Sequence, residues 1–125
     1  MDSDIQTLIA RLQANNLSAT YVPDRHAACD PILSLIPEGA VVGYGDSLTV
    51  RQIGVVDALE QGPFTFLNAW EPGITVEENL KRKRRSLTSD VFVTGTNALT
   101  MDGQLVNVDG HGNRVAAMLF GPQEY

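Results

Sequence analysis

Between Asp90 and Arg114 a short apolar run, Val91-Phe-Val-Thr94, empties into a stretch dense in Gly, Asn, Asp and Thr. Seven glycines and asparagines (Gly95, Asn97, Gly103, Asn107, Gly110, Gly112 and Asn113) fall within nineteen positions. Both residue types tolerate positive φ and tight backbone approaches at low cost. Neither a long helix nor a long strand can run through such a segment, so the chain must turn repeatedly here. Three closely packed turns exceed what a connection needs. They suit a rigid scaffold that aims backbone N–H groups and short polar side chains at one place, and the segment reads as a site.

The rest of the chain alternates strand and helix signals. Ile5, Leu8, Ile9 and Leu12 fall at i, i+3, i+4 and i+7 and predict an amphipathic helix ending at Asn15-Asn16. Ala19–Val22 is a candidate strand. A helical stretch starts at Asp24, with Asp30-Pro31 expected to restart it as cap and first residue before Pro37 ends it. Gly39–Gly45 is a short buried strand running into a glycine turn. Thr49-Val-Arg-Gln52 and Thr75-Val-Glu-Glu78 have capping-box spacing, predicting helices from Thr49 to about Gln61 and from Thr75 through the basic run Lys81–Arg85. Phe64–Leu67 and Asp90–Thr94 read as strands, and Met101-Asp102-Gly103 as the turn of an antiparallel excursion into Gln104–Val108. Asn113–Leu119 is expected to be a helix capped by Asn113, because Ala116-Ala117 favour it. The expected fold class is α/β, a three-layer αβα sandwich with a mostly parallel sheet.

No repeat or linker divides the 125 residues, so one domain spanning residues 1–125 is expected. At 43% hydrophobic and 19% charged, such a chain builds a core without staples. The single cysteine, Cys29, leaves no internal disulfide and no cysteine-based metal cluster within the chain. No stretch is apolar enough to span a bilayer and Met-Asp-Ser-Asp is no signal peptide, which predicts a cytoplasmic protein away from membranes. A net charge of −6 argues against nucleic acid. The basic run Lys81–Arg85 fits a solvated helix C-terminus, where cations complement the dipole; an anion-facing or partner-facing patch is the other reading.

Val41-Val-Gly-Tyr-Gly-Asp-Ser-Leu-Thr49 reads as strand, glycine turn and helix start. Gly43 and Gly45 let backbone approach an anion, and Asp46, Ser47 and Thr49 add polar side chains. An ordinary βα turn with capping hydroxyls is the bland alternative. Neither a Walker loop nor a complete G-x-G-x-x-G is present. Gly45-Asp-Ser-Leu48 does spell the motif of the GDSL esterases, with Ser47 as nucleophile and Gly95-Thr-Asn97 as a matching block. That family also needs Asp-x-x-His, which neither His26 nor His111 supplies, and a serine without a base is a weak nucleophile.

The same glycine and asparagine letters, in one order, resemble the lactate-utilisation (LUD) domain family. The matching pieces are Ile36-Pro-Glu-Gly39, Gly43-x-Gly-x-Ser47-x-Thr49, Ile53-Gly54, Thr94-Gly-Thr-Asn-Ala98, Asp102-Gly103, Leu105-Val-Asn-Val-Asp109, Gly112-Asn-Arg-Val-Ala116 and Gly121-Pro122. The resemblance covers residues 36–122. It implies a fold like that of ribose-5-phosphate isomerase, glucosamine-phosphate deaminase and the CoA-transferases, which hold a phosphate or carboxylate at a strand–glycine turn–helix. It also implies a part in lactate oxidation beside redox partner subunits, an iron–sulphur cluster residing in a partner or in the cysteine-rich segment that similar proteins carry after Gly-Pro. This chain stops at Gln123-Glu-Tyr125, so that segment is expected to be missing and a sheet edge left open for a homo-oligomer.

On this reading a small organic acid or phosphorylated ligand lies between the Gly43–Thr49 turn and the Gly95–Arg114 loops. Arg114 is the leading candidate, as a bidentate anion clamp, against a structural ion pair with Asp109 or Asp102. Gly95, Thr96, Asn97, Asn107, Gly112 and Asn113 join it as ligand-binding candidates. Asp102 and Asp109 are the candidate acid–base residues, against service as turn formers. A standalone sugar-phosphate isomerase or CoA-transferase-like enzyme using those aspartates is the alternative, and no metal site is expected. His111 reads as a tolerated loop residue, and His26, Cys29 and Trp70 carry no evident chemistry.

Overall fold

The computed structural model describes residues 2–125. The centre is a three-stranded parallel sheet in the order β2-β1-β3: β1 (Val41–Tyr44), β2 (Thr65–Leu67) and β3 (Val91–Val93). Val42 faces Phe66 and Val91 in register, and Tyr44 faces Val93. Side chains alternate along each strand, so these residues share one face. There they pack with Ile36 and with Val50, Val55 and Leu59 from α3 (Leu48–Gln52) and α4 (Val55–Gln61); Ile32 and Leu33 of α2 (Cys29–Ser34) close the edge of this core. The opposite face carries Gly43 and Phe92 and is covered by α5 (Val76–Ser86). A Cβ on Gly43 would fall 2.7 Å from Ser86 Cβ, so the missing side chain lets α5 lie on the sheet. Helices on both faces of a parallel sheet make the expected three-layer αβα arrangement.

Beyond β3 the chain forms the antiparallel hairpin β4 (Ala98–Leu99) and β5 (Leu105–Val106), then α6 (Asn113–Phe120). The hairpin turn docks on α1 (Ser3–Ala14) through Arg11 Nη1 to Met101 O (2.7 Å) and Asn15 Nδ2 to Gly103 O (3.0 Å). The chain then returns to the sheet: Phe92 N donates to Glu124 O (2.8 Å), a single parallel bridge on the outer edge of β3.

Four local expectations are corrected. Ala19–Val22 forms no strand; it finds no ladder partner, and strand preference is realised only in a sheet. Asp30 is not the cap of α2 but lies within its first turn; the N-cap is Ala28, which makes no side-chain cap bond. Asp24 instead caps the 3-10 turn Arg25–Ala27 that leads into the helix, its carboxylate accepting from His26 and Ala27 N–H. Pro31 then sits in the first turn, where its missing N–H costs nothing. The helix expected from Thr49 to Gln61 starts at Leu48 under the Ser47 hydroxyl and is broken by Gly54, whose φ of 87° ends α3 and opens α4. Asn113 is the first residue of α6 rather than its cap; that place belongs to Gly112, with φ 73°. Thr75 caps α5 as expected, accepting from Glu78 N, while the Glu78 carboxylate turns to Arg82.

Candidate functional site

Ligands of open parallel sheets collect at the carboxyl ends of the strands, where neighbouring connections leave for opposite faces. From β1 the chain passes through Gly45–Ser47 to α3 and α4 on one face. From β3 it passes through Thr94–Asn97 toward the hairpin and α6, and α6 leans on α5 on the other face. Because β1 and β3 are adjacent, the expected crevice lies between their ends. The two loops touch there. Thr94 Oγ1 donates to Gly45 O (3.3 Å), and a Cβ on Gly95 would fall 2.6 Å from Ser47 Oγ.

Arg114 fills the floor of this crevice. Its stem crosses Gly45 so closely that a Cβ there would sit 2.6 Å from Arg114 Cγ. Its Nε donates to Asp109 Oδ1 at 2.6 Å, Nη1 to Gly95 O (2.9 Å) and Asn107 Oδ1 (3.4 Å), and Nη2 to Asn97 Oδ1 (2.7 Å) and Val108 O (3.2 Å). A guanidinium has five N–H groups, and all five are engaged. Asp109 is equally committed, its Oδ2 accepting from Val115 N at 2.7 Å. The two side chains are only 12% and 7% exposed. Burial pushes the Asp109 carboxyl up, but the bonds from Val115 N–H and the Arg114 guanidinium outweigh it and hold the pKa below its ordinary value. Asp109 is thus a fixed negative charge that anchors Arg114 and satisfies the first turn of α6.

The other predicted residues divide into two groups. Thr96 Oγ1 donates to Asn107 Oδ1 (3.0 Å) and Asn97 Oδ1 accepts from Val108 N (3.0 Å), so Gly95, Thr96, Asn97, Asn107, Asp109 and Arg114 form one network. Gly45 and Ser47 adjoin it, with Gly112 and Asn113 at the start of α6. Asp46 borders the turn but pairs with Arg51 (2.9 Å). Three residues lie outside the network. Gly43 is buried under α5, Thr49 is exposed in α3, and Asp102 is 82% exposed at the hairpin turn, 3.9 Å from Arg11. Ser47 Oγ accepts from Val50 N, and among the described residues no histidine bonds to it.

A model of the LUD domain family matches residues 5–125, which takes in the sheet, both crevice loops and the Arg114 network. The chain belongs to the LUD domain family. No curated protein and no solved structure matches it. In this LUD domain Gly95, Asn97 and Asn107 of the glycine- and asparagine-rich segment are spent on the hydrogen-bonded network around Arg114.

The LUD domain also brings one residue of the basic run together with two that carry no evident chemistry in the sequence. Lys83 Nζ lies 3.0 Å from His111 Nδ1 and 5.1 Å from the centroid of the Trp70 ring. Trp70 stands edge-on to Tyr44 (5.7 Å, 80°), and Tyr44, only 2% exposed, uses its hydroxyl to accept from Ser47 N at 3.0 Å. Burial pushes the Tyr44 phenol above its ordinary pKa, keeping it neutral in this role. Lys83 and His111 are 28 positions apart and Trp70 belongs to a third segment, so no local spacing announces the cluster. Arg82 of the basic run is tied to Glu71, Glu78 and Asn68 O, whereas Lys81, Arg84 and Arg85 stay exposed. Among the described residues no group of three or more His, Cys, Asp or Glu is placed to hold a metal ion, and no helix is long and apolar enough to cross a membrane.

Proposed function

We propose that this LUD domain serves lactate or related organic-acid utilisation by binding a small carboxylate or phosphorylated ligand in the crevice between Gly45–Ser47 and Gly95–Asn97, beside redox partner subunits that carry any iron–sulphur cluster. The observation that supports this reading is the meeting of the two loops at the switch point over one buried cation. Bonds from Arg114 Nε and Nη1 are part-buried, whereas both bonds from Nη2 are exposed. An anion therefore approaches the Nη2 edge, displacing the neutral acceptors Asn97 Oδ1 and Val108 O while Asp109 keeps Nε. The exchange swaps neutral acceptors for a charged one, and charge-assisted bonds are the stronger kind. As a base, Asp109 would have to leave both of its partners, and Asp102 lies outside the crevice; this favours a binding role over the isomerase or CoA-transferase alternative.

The test is a thermal-shift panel of lactate, pyruvate, sugar phosphates and CoA on wild type and Asn97→Ala, which alters the exposed edge and leaves the Asp109 pair in place. Ligand at about 100 times its Kd adds roughly 2.7 kcal/mol, a rise of several degrees. A rise with one ligand class that changes in Asn97→Ala supports the crevice. An identical rise in both proteins removes the crevice from the account.

A further inference from the structure

We infer that Lys83, His111 and Trp70 form a second small-anion site, sharing no residue with the crevice, which takes a carboxylate or phosphate-monoester head on the two nitrogens and lays the body of the ligand against the indole. The argument starts from charge. An ammonium group only donates, so His111 Nδ1 accepts from Lys83 and the ring carries its proton on Nε2. Both neighbours of Lys83 Nζ, an imidazole and an indole face, are then uncharged. Among the described residues no carboxylate pairs with Lys83, in contrast to Arg11, Arg51, Arg82 and Arg114. A half-buried cation is thus left with its charge uncompensated on a protein whose net charge is −6.

The platform beneath it is built rather than incidental. Trp70 is braced by the buried Tyr44 ring, and its backbone N–H donates to Oδ1 of the buried Asn68 at 2.9 Å. Asn79 Nδ2 on α5 bonds Ala69 O, tying this loop to the helix that carries Lys83. Three separate segments therefore converge: the loop after β2, α5, and the loop before α6. A cation over an indole binds more favourably as it is desolvated, and an anion seated on it neutralises the charge without disturbing the platform. The imidazole rounds off the head-group contact, because with Nδ1 facing Lys83 its Nε2–H is left to donate. A ligand with a flat or apolar body gains the ring as well, which selects small organic anions over bare ions.

Trp70 is the only tryptophan of the chain, so tryptophan emission comes from this platform, and the Lys83→Met comparison separates it from the crevice loop that Tyr44 joins to it. The experiment titrates the full chain with inorganic phosphate, pyruvate and phenyl phosphate, each against sodium chloride at equal ionic strength. Wild type, Lys83→Met, His111→Asn and Asn97→Ala are compared, with circular dichroism to confirm folding. The inference predicts a saturable emission change in wild type and Asn97→Ala, tightest for phenyl phosphate. Lys83→Met should weaken it by at least about tenfold, the value of one charged hydrogen bond, and His111→Asn by less. Saturation by phosphate but not pyruvate, or the reverse, identifies the head group. No saturable change with any probe, or equal titrations in wild type and Lys83→Met, overturns the inference. A thermal shift shared by wild type and Lys83→Met, with wild-type emission flat, overturns this site and leaves the crevice standing.

Discussion

Two basic side chains at the carboxyl edge of one sheet are held in opposite ways. Arg114 is almost buried, faces a buried carboxylate and has a partner for each of its five donors. Lys83 is half-buried, touches an imidazole and an indole, and has no counter-charge among the described residues. The first arrangement stores its bonds in the fold, joining the loop after β3, the hairpin and α6. The second leaves attraction to spare. A conspicuous arginine in a glycine-rich loop is therefore a fixture first and a ligand contact only along its Nη2 edge, while an inconspicuous lysine on a helix is the freer cation.

The largest expected effect tests that contrast. Arg114→Ala leaves the Asp109 carboxylate buried without its charge partner, and breaking a buried pair in this way costs about 3–5 kcal/mol. Lys83→Met removes a partly exposed contact and should shift stability by no more than about 0.5 kcal/mol. Urea unfolding of both variants measures the difference; equal losses would erase the distinction. Next in size is Gly45→Ala. The new Cβ would fall 2.5 Å from Thr94 Oγ1 and 2.6 Å from Arg114 Cγ, and overpacking of this kind costs roughly 1–3 kcal/mol. The same substitution at Gly110, where a Cβ meets nothing within 4 Å, is the matched control in the same loops and should be nearly silent.

A smaller effect appears in acid. The folded-state pKa of Asp109 is depressed, so its contribution is fully present above the ordinary carboxylate value of about 3.9 and is lost as pH falls through the lower folded value. Stability of wild type should therefore drop more steeply below about pH 4 than that of Asp109→Asn, whose baseline is lower throughout. Parallel acid-unfolding curves would show that Asp109 is not held by its partners. The pair lies out of solvent, so added salt should move these curves little.

How far the sequence carried depended on the range of each interaction. The parallel strands, the Thr75 cap and the hairpin turn at Met101–Gly103 were legible, because an apolar run, a Thr-x-x-Glu spacing and a glycine turn act over a few residues. The helix break is written in Gly54, two residues beyond the capping pattern Thr49–Gln52, whose role Ser47 takes over. Asp30 falls inside α2 because the turn capped by Asp24 has already led the chain into the helix. Asp109 and Arg114 were singled out, with both a salt bridge and a ligand role open. Only the folded loops show that Gly95, Asn97, Asn107 and Val108 use up the remaining donors. His111 reads as a loop residue between two glycines and Trp70 carries no evident chemistry, because their partner Lys83 lies in another segment, within a basic run that reads either as solvated helix or as an anion- or partner-facing patch. Contacts across 13 and 28 positions leave no periodic trace.

The most direct test of the account is amide chemical-shift mapping with whichever of pyruvate, a sugar phosphate or phenyl phosphate binds. Perturbations are predicted at the carboxyl edge, within residues 44–48, 69–70, 83, 94–97 and 107–114, with the hairpin turn at 100–103 and the outer edge of β2 unmoved. Perturbations centred on the hairpin turn or on the outer edge of β2, with the carboxyl edge silent, would contradict it.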